Sequence, residues 1–240
     1  MSTISHLGVV AQTSNRVLSG ARRRAADPRR QLAALGPIEQ LRAGRLGRRI
    51  LQLVVGLALY GASIAFMVRA VLGNMPWDVL HQGIARQLPL SLGTIIIVVS
   101  VLVLLLWIPL RQPPGLGTIA NALLVGVAAD AVLVLLDPAQ GLPARAGLLA
   151  AGVLLNGVAS AMYIGAQLGP GPRDGLMTGV ARVSGRSLRL VRTTIEVTVI
   201  ALGWLLGGVV GLGTVLYAVA IGPLTQALLP WFTVELHRRR

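Results

Sequence analysis

Long apolar runs, separated by short polar segments, occupy the chain from Ile50 almost to its end. A helix needs about 20 apolar residues to cross the hydrocarbon core of a bilayer. Two further segments, 76–88 and 172–184, are too short to span and predict short helices. The pattern therefore predicts an all-α membrane protein with six transmembrane helices, at 50–72, 92–110, 116–136, 146–168, 189–208 and 212–232.

The chain contains an internal duplication. When it is shifted by 96 residues, 56–136 aligns with 152–232 without a gap, and about a third of the aligned pairs are identical. Shared apolar composition does not produce so many identities, so the two segments are copies of one unit. Each copy contains three predicted crossings, an odd number, which predicts that the second copy is inverted in the membrane. The two inverted three-helix repeats comprise residues 50–136 and 146–232, each with one short non-spanning helix.

The arginines indicate how these helices are oriented. The formal charge is +14, every basic residue is arginine, and the arginines cluster before Ile50, near Arg111, in the connector at 173–192 and at the end of the chain. Because basic residues accumulate in cytoplasmic loops, both termini are predicted to be cytoplasmic. Clusters separated by apolar runs indicate membrane topology rather than a nucleic-acid surface. The expected partner is therefore the lipid bilayer, and no nucleic acid is expected.

Three polar segments lie outside the repeats. Residues 1–36 are arginine-rich and unpatterned, and predict a disordered cytoplasmic tail. Residues 37–49 predict a basic juxtamembrane segment that either lies on the anionic membrane surface or is a solvated lead-in. Residues 233–240 predict a short cytoplasmic tail.

One motif, Gly-x-x-Pro-x-Asp, occurs at equivalent places in both copies. Proline at the first helical position and an acid in the first turn favour a helix start, because the missing N–H is not needed there and the carboxylate offsets the positive helix end. In transporters built from inverted repeats, such interrupted segments also form substrate sites, where the carboxylates could bind a solute or pair with nearby arginines. Both interpretations stay open for the motif residues and their arginines: Gly73, Pro76, Asp78 and Arg86, and Gly169, Pro172, Asp174 and Arg182.

Two acidic residues lie within predicted crossings, where charges are costly and often functional. Asp130 has no basic residue near it in the sequence, and it is either a proton or cation site facing a central cavity or a polar contact between helices. Glu196 follows Arg192 by four residues, which predicts an ion pair on one helical face, although Glu196 is also a candidate ion-binding residue. Asn121 and Asn156 are predicted to form hydrogen bonds between helices.

The inventory of reactive residues does not favour an enzyme. The chain has no cysteine, its three histidines are far apart in the sequence, and it has no recognisable nucleophile motif. We therefore expect no catalytic residue, no metal site and no cofactor.

Several motifs resemble those of a known family. Leu57-Ala-Leu-Tyr-Gly61, Gly73-Asn-Met-Pro-Trp-Asp78, Gly169-Pro-Gly-Pro-Arg-Asp174 and the paired Gly-Leu-Gly-Thr turns are similar to those of the bacterial YczE-type membrane proteins, which are grouped with YyaS and YitT-like proteins. The resemblance covers about residues 37–232. It implies a multi-pass protein of the bacterial cytoplasmic (inner) membrane, and it carries over no functional residues.

Two classes of function are compatible with these observations. The inverted duplication, the paired motifs and Asp130 predict a small-solute or ion transporter with its site between the repeats. The alternative is a membrane scaffold that transports nothing and recruits a cytoplasmic partner through its arginine-rich tail and connector. A homo-oligomer is possible in either case. Transport requires Asp78, Asp174, Asp130 and their neighbours to line one cavity, whereas a scaffold does not.

Overall fold

The computed structural model of the protein describes Leu32 and residues 35–236. The predicted tail at 1–36 therefore lies almost entirely outside the described residues, as does the second half of the predicted 233–240 tail. The described residues form nine helices and no strand: α1 (Pro37–Arg42), α2 (Leu46–Ala70), α3 (Pro76–Gln87), α4 (Leu92–Trp107), α5 (Leu116–Leu135), α6 (Leu142–Gly165), α7 (Pro172–Ser184), α8 (Leu188–Leu205) and α9 (Leu212–Phe232).

The helices repeat with the same spacing as the sequence. Helices α2 and α6 begin at Leu46 and Leu142, and the next three helices of each half also begin 96 residues apart. The predicted short helices are confirmed, because α3 begins at Pro76 and α7 begins at Pro172. Each has its proline and its acidic residue in the first turn, where both favour a helix start.

The two halves of the chain pack into each other. Helices α2 and α6 form the most extensive helix contact, α5 packs on α2, and α9 packs on α6. Each short helix packs on a long helix of the other half, with α3 on α8 and α7 on α4. The central apolar core includes Leu57, Ile64, Val125 and Val153. Each half therefore provides part of the surface that buries the other.

Glycines permit the close approach of the central helices, as small residues commonly do in membrane proteins. A Cβ atom on Gly56 would lie 3.0 Å from the Cβ of Met162 in α6. A Cβ atom on Gly61 would lie 2.6 Å from the Cβ of Ala128 in α5. Larger side chains at Gly56 and Gly61 would therefore push these helices apart.

The glycine of the first motif is explained by a contact with the second half. Gly73 has a φ of +115°, which favours glycine, and a Cβ atom there would lie 2.7 Å from the backbone nitrogen of Gly211. The backbone N–H of Gly213 donates a hydrogen bond to the carbonyl oxygen of Leu72 at 2.8 Å. The first motif thus docks directly on the Gly-Leu-Gly-Thr turn before α9.

The second motif makes the equivalent contact with the first half. Gly169 has a φ of +118°, and a Cβ atom there would lie 3.0 Å from the Cα of Gly115. The N–H of Gly117 donates to the carbonyl oxygen of Leu168 at 2.6 Å. The glycine motif of each half therefore contacts the Gly-Leu-Gly-Thr turn of the other half. This reciprocal contact explains why the motif and the turn both recur.

Four helices, α2, α5, α6 and α9, are long and apolar enough to cross a membrane. Helices α3 and α4 meet at an angle of 116° across a short break, so together they could form a fifth span or a re-entrant loop. Helix α4 has 16 residues, fewer than the roughly 20 of a full crossing, and α8 has 18 residues that include Arg189, Arg192 and Glu196. The crossings at 92–110 and 189–208 therefore coincide with helices, but as membrane spans they stay predictions.

Arg49 shows that the predicted juxtamembrane segment is anchored in the protein at its end. Its side chain is fully buried, and its guanidinium donates hydrogen bonds to the carbonyl oxygens of Ala166 (2.8 Å), Gln167 (2.6 Å) and Gln40. Arg49 thereby joins α1 and α2 to the end of α6. Whether residues 37–49 otherwise lie on the membrane surface or are a solvated lead-in stays a prediction.

Candidate functional site

A cavity of about 260 Å³ lies between the two halves of the protein. Pockets for drug-sized ligands usually measure about 300–1,000 Å³, so this cavity fits a smaller molecule. Of the nine helices in the described part of the chain, all but α1 and α4 contribute to it. The polar and aromatic lining residues include Tyr60, Trp77, Asn121, Ser160, Tyr163, Arg173, Asp174, Arg192, Glu196, Tyr217, Thr225 and Gln226.

The N-terminal ends of the two short helices meet at this cavity. Pro76 and Trp77 at the start of α3 line it, and so do Arg173 and Asp174 at the start of α7. The guanidinium carbon of Arg173 lies 5.8 Å from the centre of the Trp77 ring. Trp77 and Arg173 occupy equivalent positions of the two copies. The two repeated motifs therefore contribute to one site.

Arg173 lines the cavity, and most of its hydrogen-bond donors have no protein acceptor in the described structure. It is half-buried and lies over the rings of Trp77 and Tyr60, at 5.8 and 5.7 Å from their centres. Within the part of the chain that the structure describes, it makes one hydrogen bond, to the Tyr60 hydroxyl at 3.4 Å, and no ion pair. Because a guanidinium has five N–H donors, most of those of Arg173 have no protein acceptor.

Trp77 provides a second donor without a protein acceptor. Its side chain is 6% exposed, and its indole Nε1 has no hydrogen-bond partner in the described structure. A buried indole N–H usually has a partner, because leaving it unpaired costs about 1–3 kcal/mol. The Trp77 residue lines the cavity, but its indole nitrogen is enclosed by protein, so Arg173 is the donor that a ligand in the cavity can reach.

Two tyrosine hydroxyls form hydrogen bonds with polar side chains near Arg173 and Trp77. The Tyr163 hydroxyl donates to Oδ2 of Asp174 at 2.7 Å, while Oδ1 of Asp174 has no partner among the described residues. The Tyr217 hydroxyl donates to Oδ1 of Asn156 at 3.0 Å, and Nδ2 of Asn156 donates to the Ser63 hydroxyl at 2.8 Å. The prediction that Asn156 forms hydrogen bonds between helices is confirmed.

Asp78 lies behind the cavity rather than on its surface. Its side chain is 1% exposed, its Oδ1 is 2.9 Å from Nδ1 of His81, and its Oδ2 has no hydrogen-bond partner in the described structure. Among the described residues, neither oxygen accepts a hydrogen bond from the backbone N–H groups at the start of α3. Its carboxylate is near enough to act electrostatically on Arg173. Asp78 and Asp174 therefore occupy different environments, although they are equivalent in the duplication.

Arg86 and Arg182 do not pair with the motif carboxylates. Arg86 donates to the carbonyl oxygen of Gly207, and Arg182 donates to the carbonyl oxygens of Leu110 and Arg111. Each arginine thus binds carbonyls just beyond the C-terminal end of a long helix of the other half, where a cation is favoured. The charge pairs that the sequence analysis left open are not formed, because the arginines lie near the ends of the short helices that are far from the aspartates.

Asp130 lies apart from the residues that line the cavity. Its carboxylate accepts hydrogen bonds from the Ser91 hydroxyl at 2.5 Å and from the backbone N–H of Gly93 at 2.7 Å. These donors lie at the start of α4, where a carboxylate offsets the positive helix end. The geometry corresponds to a polar contact between helices and not to an ion site facing the central cavity.

Glu196 is on the cavity wall and forms the predicted ion pair. Its Oε1 lies 2.9 Å from Nε of Arg192, one helical turn earlier in α8. The two charges therefore offset each other locally, and the pair borders the cavity without leaving a net charge.

One helix contact of the first half has no counterpart in the second. Helix α4 packs on α5 so closely that a Cβ atom on Gly93 would lie 2.1 Å from the carbonyl oxygen of Gly126. The equivalent helices α8 and α9 hardly touch, and a Cβ atom on Gly222, the equivalent of Gly126, would have nothing within 4 Å. The cavity extends into this gap, where Gly222, Gln226 and Glu196 line it.

The sequence reasoning missed Arg173, Trp77 and the tyrosines of the cavity. It concentrated on identical positions of the two copies, and Trp77 and Arg173 differ although they are equivalent. A signal was nevertheless present, because each motif carries a large N–H donor between its proline and its aspartate.

The fold and the cavity define a polytopic α-helical membrane protein with two related halves around a polar site. Over residues 47–230 the chain matches a family of unknown function (DUF6198), and it belongs to that family. It is 40% identical over 177 residues to an uncharacterized protein of Haemophilus influenzae, which covers 74% of this chain and 81% of the relative.

Two relatives from Bacillus subtilis confirm the resemblance to YczE-type proteins. The uncharacterized membrane protein YczE is 30% identical over 172 residues, or 71% of this chain and 80% of YczE. The uncharacterized protein YyaS is 25% identical over 187 residues, or 76% of this chain and 92% of YyaS. No solved structure matches the chain.

Proposed function

We propose that the protein transports a small solute across the bacterial cytoplasmic membrane, by movement of two inverted halves about the cavity between them. The observation that carries the proposal is the cavity itself, which lies between the two halves and is lined by the largely unpaired guanidinium of Arg173. Buried donors cost free energy unless a ligand or water pairs with them. A scaffold that only recruits a cytoplasmic partner has no need of such a site.

The difference between the two halves supports this proposal. In an inverted duplication, equivalent helix contacts lie at opposite faces of the membrane. The α4–α5 contact is closed at Gly93 and Gly126, whereas the α8–α9 pair, which has Arg189 at the position of Gly93, is open at Gly222. Closing the second contact and opening the first would transfer access to the cavity from one face to the other.

The proposed orientation follows from the arginine distribution. With six crossings and both termini in the cytoplasm, the α8–α9 gap faces the cytoplasm and the α4–α5 contact faces the outside. The structure then corresponds to a form that is accessible from the cytoplasm. The proposal includes no catalysed reaction.

Transport can be tested with the purified protein in liposomes. A mixture of small polar metabolites is supplied outside, and the solutes retained inside are identified by mass spectrometry. We expect one solute or a few related solutes to accumulate above the level in protein-free liposomes. Accumulation of none of them would contradict the proposal.

A variant at the open contact tests the movement. Gly222→Leu should lower uptake strongly while the melting temperature changes little, because the side chain has space in this form but would obstruct closure of α8 on α9. Gly147→Leu is the control, because Gly147 also has nothing within 4 Å but lies on α6, away from the gap. Normal uptake by Gly222→Leu would contradict closure at this contact.

A further inference from the structure

The donor side of the cavity has the geometry of a carboxylate site. Arg173 lies over the faces of Tyr60 and Trp77, which leaves N–H groups on its edge available. A guanidinium edge binds a carboxylate through two parallel hydrogen bonds. The starts of α3 and α7 lie at the same cavity and direct their positive ends towards it. These groups all favour an anionic group of the solute.

An acceptor lies directly beside these donors. Asp174 follows Arg173 in the chain, is exposed and lines the cavity. The Tyr163 hydroxyl holds its Oδ2 at 2.7 Å, whereas Oδ1 has no partner among the described residues. Tyr163 thus holds the carboxylate in place through Oδ2. The other oxygen, Oδ1, can accept a hydrogen bond from a cationic donor such as an ammonium group.

The formal charges on the cavity wall determine which net charge of the solute is favourable. The charged residues that line it are Arg173 and Asp174, together with the paired Arg192 and Glu196, and their formal charges cancel, while Asp78 lies behind the wall beside His81. A solute with a net charge would leave an uncompensated charge in a partly buried site, which is unfavourable. A solute with one positive and one negative group leaves the site neutral.

We infer that the solute is a small zwitterion carrying a carboxylate and an ammonium group, as a neutral amino acid does, with the carboxylate on Arg173 and the ammonium on Asp174. The inference deepens the proposed function and rests on it for the transport step. It concerns the chemical class that the cavity binds, so binding tests it separately from transport. The cavity volume limits the solute to a compact molecule.

The test is isothermal titration calorimetry of the purified full chain in detergent with each neutral L-amino acid. For the tightest binder, the same measurement is made with its two truncated analogues, one without the amino group and one without the carboxylate. For alanine these are propionate and ethylamine. We expect each analogue to bind about tenfold more weakly or worse, because each leaves one charged group of the site unpaired.

Two variants assign the two ends of the solute. Arg173→Gln should weaken amino-acid binding by about tenfold or more, and Arg173→Lys should restore only part of it because lysine cannot form the paired hydrogen bonds. Asp174→Asn should weaken amino-acid binding but not binding of the deaminated analogue. Arg182→Gln is the matched control on α7, because Arg182 binds backbone carbonyls away from the cavity lining. Melting temperatures identify any variant that does not fold.

The outcomes separate the inference from the proposed function. Equal binding of the amino acid and its deaminated analogue would overturn the zwitterion and leave a transporter of carboxylates. Binding of no neutral amino acid would also overturn it, whatever the liposomes accumulate. Amino-acid binding without uptake would support the site and contradict transport.

Discussion

Equivalent glycines of the two halves are under different steric constraints. A Cβ atom on Gly126 would lie 2.4 Å from the carbonyl oxygen of Gly93 and 2.7 Å from Cγ1 of Ile97. A Cβ atom on Gly222 would have nothing within 4 Å. The duplication preserved both glycines, but only the first is confined by packing in this form of the protein.

This difference predicts opposite effects of the same substitution. Gly126→Ala should destabilise the protein by about 1–3 kcal/mol, because the methyl group overlaps backbone that cannot move away easily. Gly222→Ala should be neutral or stabilise by up to about 1 kcal/mol, because alanine favours a helix over glycine. Thermal unfolding in detergent measures both. Equal destabilisation would show that α8 and α9 are packed together in the membrane protein.

The environments of single residues were the least predictable feature of the site. Asp78 and Asp174 follow the same motif, and the sequence predicts helix starts for both, which the structure has. Asp78 adjoins His81, whereas Asp174 accepts from Tyr163. Neither partner is repeated in the other half, so the alignment of the two copies held no information about them.

At the level of helices, the halves compensate for side chains of different size. Trp107 of α4 packs over Gly175 of α7, where a Cβ atom would lie 2.0 Å from the indole ring, and its Nε1 donates to the Pro172 carbonyl at 3.0 Å. The residue equivalent to Trp107 is Gly203, where a Cβ atom would lie 2.4 Å from the backbone nitrogen of Leu80. A large residue thus separates one helix pair, and a glycine brings the equivalent pair together.

Trp107 should therefore contribute strongly to stability. Trp107→Ala should cost about 3–5 kcal/mol, because it leaves a cavity above α7 and removes the hydrogen bond that holds the start of this helix. Trp204→Ala is the control, because Trp204 is 64% exposed and its loss should change stability by no more than about 0.5 kcal/mol. Unfolding in detergent distinguishes them, and similar losses would exclude the packing role of Trp107.

The helices themselves were predictable because their signals are local. Apolar length located the long helices, and proline followed by aspartate located the starts of α3 and α7. The helix pairs were not predictable, because the contacts of α3 with α8 and of α7 with α4 join distant segments. Arg49 was missed for the same reason, since its acceptors include Ala166 and Gln167 far along the chain.

For the whole molecule, the membrane topology depends on whether α4 and α8 cross. If both cross, the chain spans six times, and a reporter fused after Arg111 should be cytoplasmic while one fused after Gly141 should be outside. If α3–α4 and α7–α8 are re-entrant, the chain spans four times. The reporter after Arg111 should then be outside, and the one after Gly141 should be cytoplasmic. Paired fusions that are active on opposite sides of the membrane measure this directly.

We expect the six-span result, because the arginine distribution and the odd number of predicted crossings per copy agree on it. A cytoplasmic location after Gly141, combined with an outer location after Arg111, would contradict the proposed inversion. It would leave the described cavity intact, because the helix contacts that form it do not depend on the orientation in the bilayer.

Each half contacts the Gly-Leu-Gly-Thr turn of the other half, and this affects whether a single copy of the repeat can fold. The Leu72 carbonyl and the Gly213 N–H satisfy each other across the halves, as do the Leu168 carbonyl and the Gly117 N–H. Where water does not reach them, backbone groups without a partner cost about 1–3 kcal/mol each. A single copy of the repeat would expose both kinds of group, so we infer that it cannot be a folding unit by itself. The smallest stable assembly of this repeat is an obligate pair, and a fragment that ends at Leu136 should be degraded in cells unless the remainder of the chain is supplied with it.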